Sequence, residues 1–283
     1  MFKLYHHGSS VCAAKVRLVL EEKNVNYEKH YLDILKGDQF DPDYLKINPK
    51  GVVPTLIHDD KVIFESSVIN EYLDSVISNS VKLIPEDPIV RANMLYWTKW
   101  VDEELHPACG TITFMSSHRY TIKKMSKEKV EEFLNNTPQL SLASDWKVRK
   151  RRYVEDGLAD PDAHKAIVVH EMTLDKMEAA LKNNQYVAGE NFTLADIALI
   201  PYLNRLYMLR MLESWCKDKP KTLDWFDRMR RRSSFFPAID KYVPEDLADD
   251  LKTNGARSWP KVKEILDSAL ESWQNNSVIR EKN

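Results

Sequence analysis

Runs able to pair as strands occur only within the first 66 of the 283 residues, and from about residue 90 onward the apolar spacing is helical. That switch limits the chain to a small α/β layer with a mixed sheet, followed by an all-α region. Phe2 to Tyr5 is a short apolar run ending in a turn. From Cys12 to Lys23, Val16, Val19 and Leu20 interleave with Lys15, Arg17, Glu21 and Glu22, which is helical periodicity. Ser9 and Ser10 stand where an N-cap belongs. Tyr27 to Leu32 alternates as a second strand. In VVPTLIHDDKVIFES two strand runs flank His58-Asp59-Asp60-Lys61 as a hairpin. Ser66 to Val76 then spaces Val68, Ile69, Tyr72, Leu73 and Val76 as a helix.

SNSVKLIPEDP, residues 78 to 88, is rich in Ser, Asn and Pro and reads as a linker. The expected organisation is a first domain over 1–78, a linker over 79–88, a helical domain over 89–241 and a helical extension over 242–283. Helical patterns cover 91–105, 166–181, 193–212 and 222–232, with one more over 259–273 in the extension. Residues 116–165 read as a polar, irregular insertion. In NFTLADIALIP, Thr193 lies three residues before Asp196 and ahead of an apolar run, the pattern of an N-terminal capping box.

Composition narrows the class of function. With 43% hydrophobic and 30% charged residues and a net charge of -2, the chain is globular, and its overall charge points to neither nucleic acid nor a membrane surface. Cys12, Cys109 and Cys216 are too far apart for a disulfide framework or a CxxC zinc site, as in a reducing compartment. MFKLYHH lacks the apolar core of a signal peptide, and no stretch approaches the roughly 20 apolar residues of a membrane span. A cytoplasmic location is the expectation by default. No metal is expected: His6 and His7 are adjacent, so on a strand they face opposite ways. The basic runs KVRKRR (147–152) and RMRRRSS (228–234) are read as solvated helix faces, given nearby acids such as Glu155 and Asp156.

Three pieces of the first domain carry chemistry. The turn Gly8-Ser9-Ser10-Val11-Cys12 opens a helix, whose free amides and partial positive charge favour an anion, and Ser10 adds a hydroxyl donor. In PKGVVPT, Pro54 interrupts a strand and holds Val53 extended, so that its backbone can pair with another peptide. At Glu65-Ser66, where a strand gives way to a helix, Ser66 suits a carboxylate and Glu65 an ammonium. Together they describe a pocket for a small peptide-like zwitterion with one anion-forming group.

SSVCAAKVRLVLEEKNVNYE, INPKGVVPTL, FESSVINEYLD and TLADIALIP resemble, in order and spacing, the cytosolic glutathione transferases. The likeness covers residues 1 to 78 well and 90 to 240 in outline, and leaves the tail after 242 uncovered. It implies a thioredoxin-like domain followed by a helical bundle domain, with glutathione as co-substrate, a hydrophobic, aromatic electrophile as acceptor, and a homodimer. It also implies that Val53 pairs with the cysteinyl backbone, that Pro54 is a cis-proline, and that Glu65 and Ser66 take the γ-glutamyl end. Ser10 falls where several classes carry a catalytic Ser or Cys. The S-x-C pattern ending at Cys12 is similar to that of maleylacetoacetate isomerases and tetrachlorohydroquinone dehalogenases, in which the Cys can form a mixed disulfide with glutathione. Cys12 can equally be a small packing residue of the helix, and Ser10 a plain N-cap. RANMLYWTKWVDEE looks like the bacterial lignin β-etherases. His106, Phe114, Met115, His118 and Tyr120 lie where the acceptor pocket is expected. The readings carried forward are transfer of glutathione to an electrophile, reductive dehalogenation or β-aryl ether cleavage through Cys12 or Ser10, isomerisation of the maleylacetoacetate type, and a non-catalytic binding protein on the same fold.

Overall fold

The computed structural model describes residues 1–78, 80–138 and 145–280, the last seven by backbone alone. Position 79 of the expected linker, 139–144 of the expected insertion and 281–283 of the extension lie outside the described residues. Strands β1 (Phe2–His6), β2 (Glu28–Tyr31), β3 (Thr55–His58) and β4 (Lys61–Ile63) form one mixed sheet in the order β2-β1-β3-β4. β1 runs parallel to β2 and antiparallel to β3, and the β3–β4 hairpin closes with His58 opposite Lys61.

Helices α1 (Val11–Glu22) and α3 (Ser66–Val76) pack on each other, and α2 (Pro42–Ile47) leads toward β3. Leu4 and Leu56, opposite each other across β1 and β3, are fully buried with Val16, Leu20, Ile69 and Leu73. Burying such side chains contributes roughly 1.5–3 kcal/mol each. α1 also touches α10 (Leu194–Met208) and α13 (Phe235–Ala238) in the helical half, so it is buried nearly all round. Lys15 and Arg17, charged positions of the amphipathic pattern, are therefore internal at the domain junction.

The helical half begins with α4 (Pro88–Trp100), capped by the Asp87 carboxylate on the amides of Ile89 and Val90. One continuous helical rod then runs through a π turn (Val101–Leu105), α5 (His106–Thr113), a second π turn (Phe114–His118) and α6 (Arg119–Ile122). Pro107 lacks an amide and would collide with the carbonyl four residues earlier, which falls in the first π turn; the wider turn accommodates it.

The region read as irregular is mostly helical among its described residues: α7 (Lys127–Asn135) and α8 (Trp146–Glu155) follow α6. Their few apolar side chains, Phe133, Leu134 and Val154, close a small separate core with Ile122. The basic run on α8 is neutralised on the surface: Arg149 by Asp145 and Asp162, Arg151 by Glu131 and Glu155, Arg152 by Asp160 and Asp162.

α9 (Asp162–Ala180) and α10 form the centre of the bundle. The capping box at Thr193 is present, and Asp196 also accepts from Trp225 Nε1 and the Val187 amide. α11 (Leu212–Trp215), α12 (Pro220–Arg230) and α13 complete the bundle. The extension is a single helix, α14 (Glu245–Arg280), longer at both ends than its apolar pattern suggested. Ser258 Oγ donates to Ser116 O at 3.0 Å and Thr121 Oγ1 to Asp250 Oδ2 at 2.8 Å, fastening it to the second π turn and α6. A Cβ on Gly255 would lie 2.3 Å from Leu209 O, so only glycine permits this approach of α14 to the end of α10. Among the described residues no helix is long and apolar enough to cross a membrane.

Candidate active site

Every side chain of the candidate site is placed by the turn from β1 into α1 or by an element packed on that turn. Ser10 is the N-cap of α1: its Oγ accepts from the Ala13 amide at 3.1 Å and donates to Val53 O at 3.4 Å. The second bond is long, so the hydroxyl proton is weakly held and can turn to an arriving anion while Ala13 keeps its own bond. Gly8 lies under the start of the extension, where a Cβ would be 1.8 Å from Tyr242 O.

Cys12 faces the helical half. Its Sγ lies 3.5 and 3.8 Å from Nδ1 and Nε2 of His106 and 3.8 Å from the Tyr202 hydroxyl, which is itself 3.2 Å from His106 Nδ1. Lys15 Nζ, fully buried on the next turn of α1, bonds Asp102 Oδ1 at 3.0 Å. Burial pushes the Cys12 thiol up, but the charges of His106 and Lys15 and hydrogen bonds from His106 and Ser66 pull it down to about 6. His106 is raised above its ordinary value: burial opposes its charge, and the Cys12 thiolate outweighs burial. Burial and the neighbouring Cys12 raise Tyr202, which stays a donor. Cys109 and Cys216, by contrast, are pushed up by burial to about 11 and about 12. Cys12 Sγ is thus in polar contact with His106 and Tyr202, contacts that among the described residues neither Cys109 nor Cys216 has.

Behind the turn sit two buried guanidinium groups. Arg17 Nη1 donates to His7 O at 3.2 Å and approaches His6 Nδ1 at 3.3 Å, while its Nε donates to Ala238 O. Arg205 Nη2, from α10, donates to Ser9 O and, at 3.2 Å, to Ser9 Oγ. Its Nη1 points at His118 Nε2 at 3.5 Å. Ser9 Oγ is 3.2 Å from the same nitrogen, so His118 Nε2 is the acceptor and its proton is on Nδ1. Burial, with Arg205 and His7 adding to it, holds His118 well below its usual range and neutral. These cations raise the potential at the amino end of α1, where an anion is favoured.

The second side of the site comes from the segment before β3 and the start of α3. Val53–Pro54 is a cis peptide, and Val53 is buried beside Ser10. Ser66, the first residue of α3, is buried close to Cys12. Glu65, at φ 63°, faces solvent with its carboxylate 2.7 Å from Lys50 Nζ. Ser10, Cys12, Val53, Pro54 and Ser66 are therefore gathered round one helix end, with Glu65 at its rim. Tyr5 lies within β1, stacked on His30. His6 and His7 are committed to Arg17 and the Ser9 amide. Of the five residues expected at an acceptor pocket, Met115 and His118 are buried, Phe114 and Tyr120 are partly exposed, and His106 lies beside Cys12. Tyr202 and Arg205 were not singled out, since on a helix this apolar their spacing looks like core. Among the described residues no group of three or more His, Cys, Asp or Glu is placed to hold a metal ion.

Comparison with known proteins bears on the family and the fold. Residues 1–75 match the family model described as glutathione S-transferase, N-terminal domain, and 160–233 the corresponding C-terminal domain. Protein LigF of Sphingobium sp. (strain NBRC 103272 / SYK-6) is 33% identical over 250 residues, covering 87% of this chain and 95% of the relative. The tetrachloro-p-hydroquinone reductive dehalogenase of Sphingobium chlorophenolicum is 31% identical over 242 residues, 82% of this chain and 93% of the relative. The crystal structure of beta-etherase LigF from Sphingobium sp. strain SYK-6 superposes with a TM-score of 0.75 at 30% identity, covering 85% of this chain and 99% of that one.

Proposed function

This chain belongs to the glutathione S-transferase family, and on that premise we propose that it holds glutathione with the sulfur at the amino end of α1 and directs it at a hydrophobic aromatic electrophile. The observation that carries this reading is the Ser10 hydroxyl at the amino end of α1, 3.4 Å from Val53 O beside the cis Val53–Pro54 peptide, with the buried guanidinium groups of Arg17 and Arg205 bonded to the same turn. A free thiol has a pKa near 8.5. A hydrogen bond to a charged sulfur contributes about 1.5–3 kcal/mol and a helix end about 0.3–1, together lowering that pKa by roughly 1 to 3. The thiolate then predominates near neutral pH. In the reaction a C–S bond forms on the aromatic carbon as the bond to the leaving group breaks, and the leaving group departs with its electron pair. Val53 offers its backbone to the cysteinyl unit, and Ser66 and Glu65 take the γ-glutamyl end.

A second reading is favoured by Cys12 in particular. Its thiolate attacks the sulfur of an aryl–glutathione conjugate; the aryl carbon leaves with the bonding pair and takes a proton, and a Cys12–glutathione disulfide remains. A second glutathione thiolate then releases glutathione disulfide and restores Cys12. That is reductive cleavage, and the relative named as a reductive dehalogenase supports it. The protein is further proposed to work as a homodimer, since β4, α3 and α4 expose Val62, Val68, Val76 and Tyr96, with Phe64 exposed between β4 and α3.

Retention on immobilised glutathione tests the binding site: Ser66→Ala is expected to abolish it, and unchanged retention contradicts the site. Turnover of a chlorinated nitroarene should fall at least tenfold in Ser10→Ala through loss of the sulfur's charged hydrogen bond. In Cys12→Ala, conjugation should persist while any reductive product disappears.

A further inference from the structure

The Cys12 thiol is surrounded by groups from five elements, and only one of them can take its proton. From α1 comes Lys15, neutralised by Asp102 of the first π turn; from α3 the Ser66 hydroxyl; from α5 His106 and Cys109; from α10 Tyr202. Lys15 is already a cation, Cys109 and Tyr202 hold their own protons tightly, and Asp102 is committed to Lys15. His106 remains, reached across the domain junction.

We propose that His106 is the positioning residue of Cys12: the helical domain supplies an imidazole that accepts the Cys12 proton and holds the sulfur as a thiolate against an imidazolium. Sγ lies 3.5 and 3.8 Å from the two ring nitrogens, between their lone-pair directions, so a rotation of the His106 ring brings its bare nitrogen into line with the S–H, and a neutral imidazole always has one bare. The S–H bond breaks, an N–H bond forms, and the electron pair stays on sulfur. Tyr202, 3.2 Å from Nδ1 and 3.8 Å from Sγ, then swings its proton from the ring to the new anion. The first π turn, which ends one residue before His106, sets the register that aims the ring at α1. Cys12 reactivity thus depends on the packing of the two domains and not on the turn alone. The inference rests on reading Cys12 as a second sulfur centre of the glutathione site.

Alkylation of Cys12 by iodoacetamide, followed on its own peptide in unliganded full-length protein, tests this directly. Thiolate attack displaces iodide, so the rate tracks the thiolate fraction. In wild type the rate is expected to rise through about pH 6. In His106→Gln the inflection should move up by about two pH units, lowering the rate at pH 7 about tenfold. Tyr202→Phe should move it the same way by less. A wild-type inflection near 8.5 or above overturns the proposal, and so does a His106→Gln profile superimposable on wild type. Should His106→Gln fail to fold, the wild-type inflection and Tyr202→Phe still decide. Retention on immobilised glutathione, measured on the same wild-type sample, keeps the two readings apart: lost retention with an acid-shifted Cys12 removes the glutathione site and leaves the Cys12–His106 pair in place.

Discussion

Ser10 carries two duties that a single substitution cannot separate. As N-cap it stabilises α1 by about 1 kcal/mol, and as donor it is proposed to stabilise the bound sulfur. Ser10→Ala loses both. Ser10→Asp is expected to keep the cap, so that its melting temperature stays near wild type, while its negative charge removes turnover; equal turnover in Asp and Ser proteins would show that the hydroxyl plays no part at the sulfur. At this scale the sequence was partly legible. Ser10, Cys12, Val53, Pro54, Glu65 and Ser66 stand in short local patterns, and each of them is found at or beside the amino end of α1. His106 and Tyr202 are 94 and 190 residues from Cys12, and no local spacing links them. Lys15 and Arg17 looked like ordinary charges of an amphipathic helix because the cover over that face comes from α10 and α13.

Among the elements, the strands, hairpin, α3 and α10 follow their apolar periods, and the capping box marks the start of α10 where it was expected. α7 and α8 did not, because they bury so few side chains that their apolar period is faint. The π turns have no signature beyond Pro107. Asp196 gives α10 a pH dependence. Burial raises its carboxyl to about 6, against several hydrogen bonds that lower it. The folded state therefore takes up this proton before the unfolded state does, and the site adds stability as pH falls through 6, in full below about 3.8. Relative to Asp196→Asn, wild type is expected to gain up to about 3 kcal/mol between pH 7 and pH 4 in urea unfolding; parallel pH profiles would contradict this. The contact of the extension with the β1–α1 turn is equally specific. Gly8→Ala, whose Cβ would sit 1.8 Å from Tyr242 O, is expected to lower stability by about 1–3 kcal/mol. A melting temperature equal to wild type would mean that residues 242 and 243 do not rest on that turn.

Across the whole molecule, the switch from mixed sheet to helices is what the sequence made plainest. The junction it creates is where the proposed site lies: α1 and the start of α3 provide Ser10, Cys12 and Ser66, and α5 and α10 provide His106, Tyr202 and Arg205. The extension closes over this junction from Tyr242 onward and extends along the second π turn, a path no local pattern foretold because its anchors, Gly8 and Gly255, are single glycines. Exposed Val68 and Tyr96 argue for a self-association face on α3 and α4. Val68→Glu with Tyr96→Glu is expected to give monomers in sedimentation, whereas an unchanged sedimentation coefficient would remove that face from the account. The central claim is that the amino end of α1 stabilises the thiolate of a bound tripeptide. It is tested most directly by titrating the ultraviolet thiolate band of glutathione bound to Cys12→Ala protein, in which no thiol of the site competes. The account predicts saturable binding and a bound thiol titrating roughly 1 to 3 pH units below the free value near 8.5. Saturable binding with an unshifted thiol, or no binding at millimolar glutathione, would contradict it.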